Sequence, residues 1–89
     1  MAVDDREKIF DFIEANNIEA ALALDERILE AIDNLSRFPE MGRSGRVANT
    51  RELFISNTLY IAAYQVEEGS VLVLRILHGA QFWPTDFRA

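Results

Sequence analysis

The sequence predicts an α+β fold: an N-terminal antiparallel helical hairpin packed on one face of a three-stranded antiparallel sheet. Two observations carry this. Through residues 1–36 the apolar residues recur three and four apart, the period of a helix face. After residue 50 they fall in short β-branched and aromatic runs separated by turn residues. Helices followed by strands segregate into two layers, so the hairpin is expected to cover one face of the sheet.

The first helix is read over residues 4–16, with Ile9, Phe12 and Ile13 on one face. Asp4, Asp5 and Glu7 stand in its first turn, where negative charge suits the helix dipole. Asn16-Asn17 marks its stop. The second helix, residues 18–36, lays Ala21, Leu24, Ile28, Ala31, Ile32 and Leu35 in one apolar stripe. Glu19, Asp25, Glu26, Glu30 and Asp33 cover its outer face. The short connection makes the two an antiparallel hairpin. Residues 37–46 read as a loop, broken by Pro39, Gly42 and Gly45. Strands are read at 50–56, 59–66 and 71–78. They are joined by Ser56-Asn57-Thr58 and by Glu67-Glu68-Gly69-Ser70, where Gly69 can supply a positive φ. The third strand is apolar on both faces, which predicts a central position or cover on both sides.

No repeat or linker divides the chain, so its 89 residues, 1–89, are expected to form one domain. At 49% hydrophobic residues there is ample material for a core, and some of that surface is available for a partner. The absence of cysteine excludes a thiolate metal site and a disulfide framework, and fits a reducing cytoplasm. A single histidine makes a zinc site a poor fit, and no cofactor or metal is expected. No apolar run is long enough for a transmembrane helix, and the acidic N-terminus has no apolar signal segment. The net charge of -6 is unevenly placed. Residues 1–36 hold ten acids and three bases, while residues 37–89 hold five acids and six bases. The first part repels phosphate backbones, so no direct nucleic-acid binding is expected from it. Arg37, Arg43, Arg46 and Arg51 lie close together in the second part.

The order and spacing of several segments resemble the ParE branch of the RelE/ParE toxin superfamily. These segments are Asp5 through Ile13, Leu35-Ser36-Arg37-Phe38-Pro39-Glu40-Met41-Gly42-Arg43, Thr50-Arg51-Glu52-Leu53, Tyr60-Ile61-Ala62-Ala63-Tyr64, and Arg75-Ile76-Leu77-His78-Gly79-Ala80-Gln81 with Trp83-Pro84. The resemblance covers nearly the whole chain. It implies the toxin of a type II toxin–antitoxin, plasmid-stabilisation-type system, held silent by a co-expressed antitoxin that wraps it. Its members poison DNA gyrase (the ParE branch) or cut mRNA on the ribosome (the RelE branch). One departure stands out: the family usually begins with a short strand that joins the sheet, whereas this chain starts almost directly at a helix. A missing strand would leave a sheet edge open to an antitoxin strand or to a second copy of the chain.

The residues themselves offer material for acid–base cleavage of RNA. His78 can titrate, Glu52 can act as a base, and Arg51 or Arg75 can clamp a phosphate. Strand alternation nevertheless puts Arg75 and His78 on opposite faces, and likewise Arg51 and Glu52. Arg75 is as readily a structural cation, with Glu52 as a partner. Tyr60 and Tyr64 share a face with Ala62 and Val66 and serve either the core or a groove. For partner binding the candidates are Arg43 and Arg46, flanking Gly45, together with Tyr60, Trp83 and Phe87. The last two belong to an aromatic segment that either closes the core or anchors a partner. The sequence therefore favours a binding protein over an enzyme: a gyrase inhibitor neutralised by its antitoxin, in a hetero-oligomer with it or a homo-oligomer. A RelE-like endoribonuclease and a truncated, inactive relative are the alternatives.

Overall fold

The computed structural model of the chain describes residues 2–80 and Trp83. Helix α1 (Ala2–Glu14) and helix α2 (Ile18–Arg37) form the hairpin. A 3₁₀ turn, Pro39–Met41, follows, and then four strands: β1 (Arg43–Ser44), β2 (Arg51–Phe54), β3 (Tyr60–Glu67) and β4 (Ser70–His78). The strands make one antiparallel sheet in the order β1-β2-β3-β4. The fold class is the expected one, with four strands in place of three. The extra strand lies inside the segment 37–46 read as a loop, where Arg43 pairs with Glu52 and Ser44 with Arg51.

Local chemistry explains the boundaries. The Asn17 side chain caps α2, accepting the Ala20 N–H at 3.0 Å. Arg6 clamps Asp25 with two hydrogen bonds, 2.6 and 3.0 Å, and holds the two helices side by side. The last turn of α2 closes with Phe38 N–H donating to Asn34 O, and Pro39 cannot continue the helix. Between β3 and β4, Glu68 and Gly69 both take positive φ, 49° and 81°, in a two-residue hairpin of the type the sheet twist prefers.

The core lies between α2 and the sheet. Ile28 and Ala31 pack against Ile55, Ala62 and Ile76, with Leu24, Ile32, Leu53 and Val73 around them. The stripe read for α2 is therefore the packing face. Phe12 departs from expectation: it was placed on the core face of α1 with Ile9 and Ile13, yet it is 75% exposed. The opposite sheet face is covered as well, since Ile61 and Leu77, paired across β3 and β4, are both buried.

The third predicted strand, β4, is an edge strand bonded only to β3 among the described residues, and the central, most buried strand is β3. Its two-sided apolarity reflects cover at Ile76 and Leu77, one buried on each face. The open side of β4 is guarded twice. A register shift leaves Leu74 without a partner, which bends the strand. Beyond it, buried Asp5 of α1 accepts the Ile76 N–H at 2.9 Å and two bonds from Arg75, 2.6 and 2.9 Å.

Candidate functional site

The four acid–base candidates occupy separate positions. Glu52 is 3% exposed, and its carboxylate accepts the Arg46 backbone N–H at 2.7 Å. It also accepts the Arg46 guanidinium at 3.2 Å and pairs with Arg43 at 3.5 Å. Burial pushes its pKa up, but the Arg46 backbone bond and the two guanidinium groups outweigh this and hold Glu52 below its ordinary range. A carboxylate so stabilised is a poor general base. Arg51, on the other sheet face opposite Tyr64, donates to the carbonyls of Glu40 and Gly42 at 3.1 and 2.8 Å.

Arg75 pairs with Asp5, and the ion pair with Glu52 suggested by sequence does not form. The Asp5 hydrogen bond raises the Arg75 pKa further, against a smaller opposing effect of burial. The alternation between Arg75 and His78 is regular, because the register shift falls before Arg75. His78 stands edge-on to Tyr60, ring centroids 5.5 Å apart, and accepts the Ala80 N–H at Nδ1, 3.0 Å. These side chains do not converge on one point.

Two surfaces of the described residues gather the other candidates. The first is a basic edge. The connection from β1 to β2 folds over the sheet face that carries Glu52, fastened by Gly45 N–H to Thr50 O and by Thr50 Oγ1 to Val47 O. β1 presents Arg43 and the connection presents Arg46, about half exposed at 58% and 42%. Arg43 lies over the exposed Phe54 ring, 4.9 Å from its centroid, and Arg46 over Trp83 at 3.7 Å. Trp83 also donates from Nε1 to His78 O at 3.4 Å. Arg43, Arg46 and Trp83 thus form one cluster, with Trp83 half-buried. Phe87 lies outside the described residues.

Tyr64 and Gly42 set the height of this edge. The buried Tyr64 hydroxyl accepts the Gly42 N–H at 2.9 Å and donates to Pro39 O at 2.7 Å. A Cβ on Gly42 would meet that hydroxyl at 2.5 Å and Glu52 O at 2.7 Å, so only glycine allows the approach.

The second surface is an apolar groove of about 540 Å³ between the C-terminal part of α1, the first half of α2 and the β2–β3 turn. Phe12 and Leu59 stand on its walls, 75% and 68% exposed, with Leu24 and Tyr60 deeper and Arg27 and His78 also lining it. Of the predicted partner-binding residues that are described, only Tyr60 belongs here. The sequence reading missed Phe12, Leu59 and Arg27 as surface features. Leu59 was legible as an apolar residue beside a turn, whereas Phe12 sat on an arc too wide for spacing alone to divide core from groove.

Comparison with known proteins gives a consistent set of similarities. The sequence profile described as ParE toxin of type II toxin-antitoxin system, parDE, matches residues 1–83. A Sinorhizobium fredii protein, "Putative toxin Y4kP", is 37% identical over 73 residues, covering 82% of this chain and 75% of that one. A solved structure from P. aeruginosa, described as a chromosomal ParDE TA system, superposes with a TM-score of 0.77 at 25% identity. That match covers 86% of each chain.

Proposed function

Because the chain belongs to the ParE family of type II toxin–antitoxin toxins, we propose that it acts by binding DNA gyrase and is neutralised by a co-expressed antitoxin. Residues 1–89 act in this reading as a single domain, in the cytoplasm, and the system serves plasmid stabilisation. The supporting observation is the dispersal of the acid–base candidates. Glu52, Arg51, Arg75 and His78 each hold a different part of the fold. What the surface offers instead is recognition: a basic, aromatic-backed edge at Arg43, Arg46 and Trp83, and an apolar groove reaching Tyr60. No helix among the described residues is long and apolar enough to cross a membrane.

Gyrase supercoiling assayed with the purified protein, freed of antitoxin, is expected to be inhibited at micromolar concentration. Arg43→Lys with Arg46→Lys, which keeps a cation beside buried Glu52, is expected to weaken inhibition, with the urea midpoint of the variant measured alongside to separate lost recognition from lost stability. Full supercoiling activity in the presence of the wild-type chain would overturn the gyrase assignment. Ribosome-dependent mRNA cleavage that disappears in His78→Ala would replace it with the ribonuclease alternative.

A further inference from the structure

The hairpin carries an apolar strip that the core does not use. Ile18, Leu22 and Leu29 fall within about 40° of one another around α2. All three are exposed, Leu22 and Leu29 by 52% and 45%. Apolar side chains gathered on a water-facing surface mark a docking site. Asp25 stands between the two leucines on this side of the helix, and Arg6 of α1 is engaged by it. Glu19, Glu26 and Asp33 run alongside, on the outermost line of α2. On the α1 side Asp25 also lines a hollow of about 420 Å³, together with Arg6, Glu7, Phe10 and Asp11. Glu7, Asp11, Glu19 and Glu26 form no ion pair among the described residues.

Charge decides the occupant. A second copy that docked its own strip here would bring the acids of both together. The strip has no unpaired cation among the described residues to offset them. Arg37 is paired with Asp33, and Arg27 stands about 150° round the helix, against the apolar groove. The basic edge fails against itself for the same reason, with the sign reversed. There Arg43 and Arg46 share one acid, Glu52, so one positive charge is left over. Phe54 lies exposed beneath Arg43. Strip and edge therefore suit each other: the leucines meet the Phe54 ring, and the acids meet the two guanidinium groups. The hollow offers a guanidinium the Phe10 ring for its flat face, and Glu7 and Asp11 for its N–H groups.

We propose that the outer face of the α1–α2 hairpin, at Leu22 and Leu29, docks on the Arg43–Phe54–Arg46 edge of a second copy, head to tail. Such a contact joins two different patches, so the association runs on from copy to copy or closes into a ring. It also covers Arg43 and Arg46 and shields them from a target. That consequence rests on the gyrase reading above, whereas the contact itself does not.

Sedimentation velocity of the full chain tests this. The average mass is expected to rise with concentration, and the apparent dissociation constant to weaken about tenfold between low and high salt. Leu22→Lys with Leu29→Lys removes the face, and Phe54→Glu removes the edge while leaving Arg43 and Arg46 on Glu52. Each variant alone is expected to stay monomeric. Mixed in equal amounts, the two are expected to form a one-to-one dimer, because the first keeps its edge and the second keeps its face. A variant that fails to fold cannot restore association in the mixture. A wild-type chain that stays monomeric at every concentration overturns the proposal. So does a variant that associates as wild type does, or a mixture no heavier than its parts. The assay contains no gyrase, so either reading can fail without the other.

Discussion

Glu52 shows how one residue can look catalytic in a sequence and be structural in the fold. Its neighbours Arg43 and Arg46 are nine and six positions away, and only the β1–β2 reversal brings them to it. The pH consequence follows from the depressed pKa. A carboxylate held below its ordinary value, 4.5, contributes stability that is complete above that value and is lost as pH falls through the lower one. Glu52→Gln is expected to cost about 1–3 kcal/mol at pH 7, because Arg43 and Arg46 keep access to water when the charge is removed. The difference from wild type in urea midpoint is expected to shrink progressively below pH 4.5. Parallel midpoints at pH 7 and pH 3 would show that the carboxylate carries no such load.

Among the elements, the helices and the three long strands were legible, because their apolar residues repeat at fixed intervals over many positions. α2 ends within a residue of its expected boundary, and the Glu67–Ser70 hairpin has the expected turn. β1 was not legible: two residues carry no period, and both are exposed. The exposure of the open side of β4 was foreseen in kind, but its protection was not. That protection depends on Asp5, an acid whose place in the first turn of α1 suggested only a dipole contact. Asp5→Ala removes the partner of Arg75 and leaves the Ile76 N–H unpaired, and is expected to cost about 2–4 kcal/mol. Hydrogen exchange is expected to accelerate first at Ile76 and along α1. Unchanged protection at Ile76 would mean that the edge is closed by something other than this carboxylate.

Across the whole molecule, charge and apolar surface are divided. The helical half is acidic and the loop and strand half slightly basic, so the field presents one end of the chain to an anionic partner. Candidate site residues were legible only as types. Arg43, Arg46 and Trp83 do cluster, whereas Tyr60 faces the groove, because clustering depends on loop paths that spacing does not encode. The wall residues Phe12 and Leu59 contribute little to folding, since they remain in water. Phe12→Ser and Leu59→Ser are each expected to shift stability by no more than about 0.5 kcal/mol and to improve solubility. Ile28→Ala, at the centre of the core, is expected to cost about 2–5 kcal/mol. Thermal melts of the three variants side by side would distinguish a surface kept for recognition from one kept for stability.

The tie between Asp5 and Arg75 joins residues 70 positions apart. On a ribosome adding about 5–20 residues per second, Asp5 emerges on the order of 4–14 seconds before its partner is made. Throughout that interval the hairpin exists without the sheet that covers α2, its apolar stripe open to whatever is nearby. The toxin cannot assemble its final surface until the last strand is translated. A helper protein already present at the ribosome therefore meets the nascent chain before any cellular target can meet the finished one.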